Sequence, residues 1–288
     1  MSFVEREIDF VISIAQGATG EQPGEDVTLS GYRSRVSIDQ YGGASMGHAR
    51  ISIYGVPLDL MKRLTTIGPV AAQIRAKNQI KVLAGNQKDG MSTVFTGTIW
   101  TAWTDFHGMP DVCLQIDAYS ALSAATEPAT TTSFQGTVSI HNIMQVLAKK
   151  AGLQLQDSGV TGSLSNPAFN GSAMDQIAAC ADAANINYSP WLGKLLIWPR
   201  SGHLTIEPVT VSPTTGMIGY PSFSSQFVVV DSEFLPTMTV GGRMEIKGSQ
   251  LGAMVDGTWV AAVVQHSISA QLPGGPWFTH TELVYRAA

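Results

Sequence analysis

The sequence predicts a mainly β chain with a small α/β insert, in which two β-barrel domains flank a helical α/β domain. Three observations carry this prediction. Alternating apolar and polar residues dominate both ends, helical stripes occur only in the middle, and the two β segments resemble each other. Residues 78–121 read like residues 242–287. In each, an alternating run (Gln79, Ile80, Lys81, Val82, Leu83; Met244, Glu245, Ile246, Lys247) leads to an Asp-Gly turn, at Asp89 and Gly90 or at Asp256 and Gly257. A second run follows, over 93–103 or 258–269, then a Gly/Pro corner and a last strand. The corner prolines, Pro110 and Pro276, lie 20 and 19 residues beyond the turn glycines, and Tyr119 and Tyr285 fall in register. A chain with two similar modules can offer two equivalent surfaces to a partner of higher symmetry.

From residue 6 to 15, Ile8, Phe10, Ile12 and Ile14 share one face, the mark of a strand with one side in a core. A polar loop over 17–26 precedes strand signals at Val27, Thr28 and Leu29 and over 33–40, where Val36 and Ile38 point one way. Gly42 and Gly43 make a turn, and residues 48–54 alternate again, with Ala49, Ile51 and Ile53 inward. Leu58, Met61, Lys62 and Leu64 fit a short helix. The first module, residues 1–122, is thus expected to be a closed or nearly closed small barrel.

Residues 123–136, with Pro128 and threonines 126 and 130–132, lack an apolar period and read as a linker or extended crossing. Residues 137–201 form the α/β domain. One helix spans 139–151, with Ile140, Ile143, Met144, Leu147 and Ala148 on one face and Gly152 as its stop. A second spans 172–184, with Met174, Ile177, Ala178 and Ala181 inward, flanked by strands at 153–155 and 194–198. Residues 202–288 return to β: Leu204, Thr205 and Ile206 enter a proline-rich crossing over 208–221, a strand follows over 224–231, and the second barrel closes the chain.

Composition excludes several function classes. With 44% hydrophobic and 14% charged residues the chain is no disordered tail. A charge-poor surface suits a subunit buried against neighbours, although the Thr, Ser, Gln and Asn present can solvate a monomer equally well. The net charge of −5, without a run of Lys or Arg, argues against tight nucleic-acid binding. Cys113 and Cys180 lie far apart and outside any C-x-x-C pair, which excludes a disulfide scaffold, fits a cytosolic folding compartment and reads as two small buried thiols. No signal peptide is expected at the N-terminus, and no window reaches the roughly 18 apolar residues of a spanning helix. Direct membrane insertion is not expected.

No residue is assigned a catalytic, cofactor-binding or metal-binding role. Asp105, His107 and Cys113 lie near one corner, but their spacing has no specificity for a protease triad. His203, His266 and His280 lack ligand spacing, and a hydrogen-bonded strand histidine accounts for His266. The pairs Gly42 with Gly43, Gly241 with Gly242 and Gly274 with Gly275 have no helix behind them and cannot cradle a pyrophosphate. Trp100, Trp103, Trp259 and Trp277 lie on strands, where they are barrel core, interface anchors or stacking platforms for sugars.

A family resemblance rests on particular segments. The crossing Ser212, Pro213, Thr214, Thr215, Gly216, Met217, Ile218, Gly219, Tyr220, Pro221, with Phe223, Ser224, Ser225, Gln226, then Phe234, Leu235, Pro236 and Gly241, Gly242, resembles the entry to the last domain of bacteriophage tail baseplate hub proteins. The ending, from Gly257, Thr258 and Trp259 through Val264, Gln265 and His266 to Pro273, Gly274, Gly275, Pro276, Trp277, Phe278 and Thr279, is similar to that domain's final hairpin. Val138, Leu147, Ala148, Ala151, Gly152, Leu153, Asp175, Ile177 and Leu195 resemble its small α/β domain, so the likeness runs from about Gly31 to the C-terminus.

The resemblance, shared with the N-terminal part of type VI secretion spike proteins, implies a structural and non-enzymatic subunit. It implies two tube-like barrels per chain and a homotrimer whose six barrels form a ring joining the tail tube to the central spike. Partners would be the tube, spike and other baseplate or tape-measure proteins, with DNA passing through the lumen without specific binding. The protein would be made in the host cytoplasm and sit at the distal tail of the virion. Any enzymatic or spike-carrying appendage would belong to another protein. The competing expectation is a cell-wall-degrading or glycan-binding tail protein, and the first of these needs paired carboxylates that no spacing here marks.

Overall fold

In the computed structural model, which describes residues 5–16, 22–65, 78–86, 88, 90–224 and 226–286, the first alternating run is strand β1 (Arg6–Gln16). It buries Ile8, Phe10 and Ile12 on one face. Next come β2 (Gln22–Leu29), β3 (Ser34–Gln40), β4 (His48–Tyr54), helix α1 (Leu58–Leu64), β5 (Gln79–Asn86), β6 (Gly90–Asp105) and β7 (Cys113–Tyr119). Strand β2 begins at Gln22, inside the stretch expected as a polar loop, because β1 supplies antiparallel partners as far as Gln16. These elements fall in one compact unit, made of Met1–Asp39, His48–Ser120 and His266–Trp277.

The strands of this unit follow the order β2-β1-β5-β6-β7-β4-β3, each adjacent pair antiparallel. Inward residues meet across the sheet: Phe10 opposes Val82, Ile12 opposes Ile80, and Ile51 opposes both Val36 and Ile116. Met61 and Leu64 of α1 are buried with them. Each such side chain contributes about 1.5–3 kcal/mol of burial. Among the described residues the order is an open path, and no pairing joins β2 to β3 into the ring a barrel needs.

The second unit comprises Gln40–Gly47, Ala121–Gln265 and Phe278–Ala288. In place of the expected linker the chain forms α2 (Leu122–Thr126) and β8 (Thr132–Ser133), and Ala125, Ala129 and Phe134 pack on the insert's core. Single residues at irregular spacing make these contacts, so no period marks them in the sequence. Then come β9 (Thr137–Ser139), α3 (Ile140–Lys150), β10 (Gln154–Asp157), β11 (Ser163–Ser165), β12 (Ala168–Phe169), α4 (Ala173–Ala184), β13 (Ile186–Trp191) and β14 (Lys194–Pro199). Ser139 caps α3 by accepting the Asn142 N–H, and Gly152 follows its end at φ +70°. Ser172 and Asp175 form a reciprocal capping box on α4, and Asn185, at φ +51°, ends it. Ile143, Met144 and Leu147 of α3 join Ile177 and Cys180 of α4 and Leu195 and Ile197 of β14 in one buried cluster.

The remaining strands are β15 (Val209–Val211), β16 (Met217–Phe223), β17 (Val228–Glu233), β18 (Arg243–Ile246), β19 (Gly257–Ala270) and β20 (Trp277–Arg286). Strand β15 starts three residues after the expected run at Leu204, Thr205 and Ile206, and β16 takes up residues 217–221, the end of the expected crossing. Asp256 does not make a tight hairpin turn. Residues 247–256 form a longer loop with a 3-10 turn at Gly252–Met254, and the Asp256 carboxylate accepts the N–H groups of Gly248 and Ser249. In the first copy Asn86 pairs directly with Gly90, and Asp89 lies outside the described residues, as do Ser225 and Ala287 of the compared segments.

These strands follow the order β15-β18-β19-β20-β17-β16. It matches β1-β5-β6-β7-β4-β3 position for position. The match weakens only at its first step, where β15 runs parallel to β18 while β1 runs antiparallel to β5. Among the described residues no helix is long and apolar enough to cross a membrane.

Candidate assembly surface

Two register shifts shape β6. Between Val82 and Leu83 of β5 its partner residue skips from Phe95 to Thr93, and against β7 its pairing skips from Ile99 to Thr101. The second shift makes Trp100 a bulge residue. Ile99 and Ala102 stay buried, while Trp100 and Trp103 are 49% and 43% exposed. These two indoles are therefore surface groups and not core. Trp259 is partly buried and donates its indole N–H to the Val255 carbonyl at 2.7 Å, and Trp277 lies 5.5 Å under the Arg6 guanidinium.

The corner after β6 carries further exposed apolar residues. Phe106, Leu58 and Met109 are exposed, and Phe106, Leu58, Met61, Val56, Pro110 and Val112 line an open groove of about 300 Å³. Arg33 fixes the groove's rim by pairing with Asp111 at 3.0 Å and stacking 4.2 Å over the Tyr54 ring. Polar cross-strand pairs hold the neighbouring face of β4 and β7. His48 stacks on Tyr119 at 4.4 Å and reaches Asp117 at 3.2 Å, and Ser52 donates to Gln115 at 2.7 Å.

In the second unit a cavity of about 490 Å³ lies among Tyr41, Gly43, Tyr188, Trp198, Arg200 and Ala261. Gln40 anchors its wall, donating to Ser189 and Thr239 while its carbonyl accepts the Val240 N–H. Gly42, at φ +71°, leaves no room for a β-carbon, which would stand 2.8 Å from Val240 Cγ1. Burial pushes the Tyr188 phenol up to about 12. Its lining combines small and aromatic residues with Asp182, Asn187 and Arg200.

The residues singled out in the sequence have ordinary structural positions. Asp105 accepts the His107 N–H and contacts its Nδ1, both at 2.9 Å, and the backbone bond first and the side-chain bond second hold its carboxyl below the usual range. His107 is fully exposed, whereas Cys113 is buried and burial raises its thiol. A nucleophilic cysteine needs the opposite shift. His203 Nδ1 lies 3.0 Å from the Leu204 carbonyl, and His280 pairs with Asp231 at 2.7 Å. His266 is buried, and desolvation lowers its imidazole to about 4. Among the described residues no group of three or more His, Cys, Asp or Glu is placed to hold a metal ion.

The baseplate hub gp41 family matches residues 19–273. The chain belongs to the baseplate hub gp41 family, and so to the hub proteins of bacteriophage tails. This hub's fold recurs in solved structures. The 43 kDa tail protein of prophage MuSo2 from Shewanella oneidensis is 11% identical, with a TM-score of 0.61 and 96% of each chain covered. The tail protein of Neisseria meningitidis MC58 is 10% identical, with a TM-score of 0.60 and 96% of each chain covered. The E. coli c3393 protein, described as a type VI secretion component similar to T4 tail proteins gp27 and gp5, is 8% identical, with a TM-score of 0.60 over 89% of the hub and 76% of that chain. At these identities the likeness is one of fold. No curated protein sequence matches the hub.

Proposed function

We propose that three copies of this hub form a ring that joins the sixfold tail tube to the threefold spike and lines part of the channel through which the genome leaves. The recurrence of one six-strand order within the chain carries this reading. Two like modules per chain, residues 1–122 and 202–288, give three chains six similar surfaces. The α/β domain over 137–201, with the packed segment 123–136 that leads into it, stays outside that repetition. A heterologous ring closes when each repeated surface meets its neighbour in the same way. The tube module is a barrel completed in the assembly, which fits strand orders that are open in the single chain.

The hub's work is done by interfaces and not by catalysis. Its partners are the tube, spike and tape-measure or other baseplate proteins. A net charge of −5 suits a wall that DNA passes without binding, since a basic lumen would retain phosphates. The competing reading as a glycan-binding tail protein draws on Trp100 and Trp103, and saturable binding of the purified chain to host cell-wall glycans would favour it. Quantitative mass spectrometry of purified tails tests the hub reading: three copies of this chain per tail are expected, and six would contradict it.

A further inference from the structure

We propose that the cavity lined by Tyr41, Asp182, Tyr188, Trp198 and Arg200 binds a neutral mono- or disaccharide. The inference goes beyond the ring reading and does not rest on it, because all of the lining belongs to the second unit. A volume of about 490 Å³ falls within the roughly 300–1,000 Å³ of small-molecule sites. The lining wraps the edge of the sheet β10-β14-β13, where β13 is the last strand. Tyr188 belongs to the buried cluster with α3 and α4, whereas Asn187 and Trp198 oppose each other on the other face of the sheet. The Gly43 N–H donates to the Tyr188 carbonyl at 2.8 Å and ties the loop that carries Tyr41 to this edge.

Two buried residues of the lining carry polar groups without partners. Tyr188 and Trp198 are 6% and 4% exposed, and among the described residues neither the phenol O–H nor the indole N–H has a hydrogen-bond partner. Groups of this kind are nearly always paired in protein interiors. Neither is sealed in the core, since the sealed unpartnered side-chain atoms among the described residues are Ser34 Oγ, Arg243 Nε, Ser249 Oγ and Thr281 Oγ1. Both groups therefore open toward the cavity that their residues line. Asn187 holds Arg200 in place: Arg200 Nη1 donates to Asn187 Oδ1 at 3.1 Å, and Asn187 Nδ2 donates to the carbonyls of Pro199 and Arg200 at 3.3 and 3.0 Å. The guanidinium keeps its remaining N–H groups, and no carboxylate pairs with it among the described residues. Asp182 is exposed, and its carboxylate likewise has no ion-pair partner among the described residues.

This lining disfavours singly charged and apolar ligands. A cation would meet Arg200, an anion would meet Asp182, and an apolar ligand would desolvate both charges together with the Tyr188 and Trp198 groups. A sugar hydroxyl donates and accepts at once. One polyol can thus donate to Asp182 while accepting from Arg200, Tyr188 and Trp198. The apolar face of its ring would lie on Tyr41, whose hydroxyl accepts from Gln265 Nε2 at 3.3 Å and so keeps the aromatic ring in place. Trp198 is fixed as well, packed so closely on Gly241 that a β-carbon there would stand 2.8 Å from its Cε2 and Cζ2. A lining held this way before binding spares the cost of ordering it.

Saturation-transfer-difference NMR and isothermal titration of the full chain against glucose, galactose, mannose, N-acetylglucosamine and their disaccharides test the assignment. At least one sugar is expected to bind saturably, and binding by none of them overturns it. Arg200→Ala and Asp182→Ala change exposed side chains and should keep the wild-type circular dichroism, while each weakens that binding at least tenfold. Unchanged affinity in either variant overturns the proposal. A Trp100→Ala/Trp103→Ala variant should bind as the wild type does; loss of binding there would place the sugar on β6 and overturn the cavity assignment. Tighter binding of N-acetyl-argininamide, acetate or free L-leucine than of every sugar would overturn the saccharide assignment. Copy number in purified tails separates this claim from the ring. Three copies without sugar binding leave the ring standing and remove this site, whereas sugar binding with another copy number leaves the site and removes the ring.

Discussion

Burial alone lowers the His266 imidazole from its ordinary 6.5 to about 4, and this has a signed consequence for stability. Above pH 6.5 the folded and unfolded chains are both neutral at this site and the full stability is present. As pH falls from 6.5 toward 4 the unfolded chain binds a proton that the native chain refuses, so stability drops by on the order of 3 kcal/mol and levels off below. Urea midpoints at pH 7 and pH 4.5 check this: the wild type should lose more than His266→Gln, and equal losses would assign the acid sensitivity to the carboxylates. Gly42 makes a second prediction at this scale. Its φ is +71°, and an added β-carbon would stand 2.8 Å from Val240 Cγ1, so Gly42→Ala should cost about 1–3 kcal/mol, read as a lowered thermal midpoint. A variant as stable as the wild type would mean that the Gln40 loop yields freely.

Helix α4 is the element whose sequence explains it most fully. Its capping box, inward Ile177 and Cys180 and terminal Asn185 all agree, so Ser172→Ala should cost about 1 kcal/mol and Ile177→Ala about 2–5 kcal/mol in urea unfolding. An Ile177→Ala change below 1 kcal/mol would show that the insert repacks. Local signals make both long helices legible: the spans 139–151 and 172–184 correspond to Ile140–Lys150 and Ala173–Ala184. Strands are less legible where a partner sets them. The start of β2 depends on β1, the exposure of Trp100 on a bulge defined by β7, and the packing of Phe134 on the insert's core. Asp256 keeps the chemistry of an Asp-Gly turn but closes a ten-residue loop, because its carboxylate reaches back to Gly248 and Ser249. The assembly surface is half visible in the sequence. Tryptophans on strands are evident, but alternation cannot tell core from surface once a bulge has shifted the faces.

At the scale of the whole molecule, the repeated strand order is the one feature that a single-module fold would not need. Under the proposed ring, it lets one chain present like surfaces twice and so meet threefold and sixfold neighbours. The large exposed side chains Trp100, Trp103, Ile218, Tyr220 and Phe223 carry no charge, so a ring closed through such surface should depend weakly on salt. Sedimentation of purified assemblies at about 0.1 and about 0.5 M NaCl should therefore give the same species, and dissociation at the higher salt would point to ion pairs instead. The most direct measurement is a cryo-electron microscopy reconstruction of the tail tip. Three copies are predicted around the axis, with the 78–121 and 242–287 segments alternating as six similar sheets; six copies, or the two segments in different layers, would contradict the account.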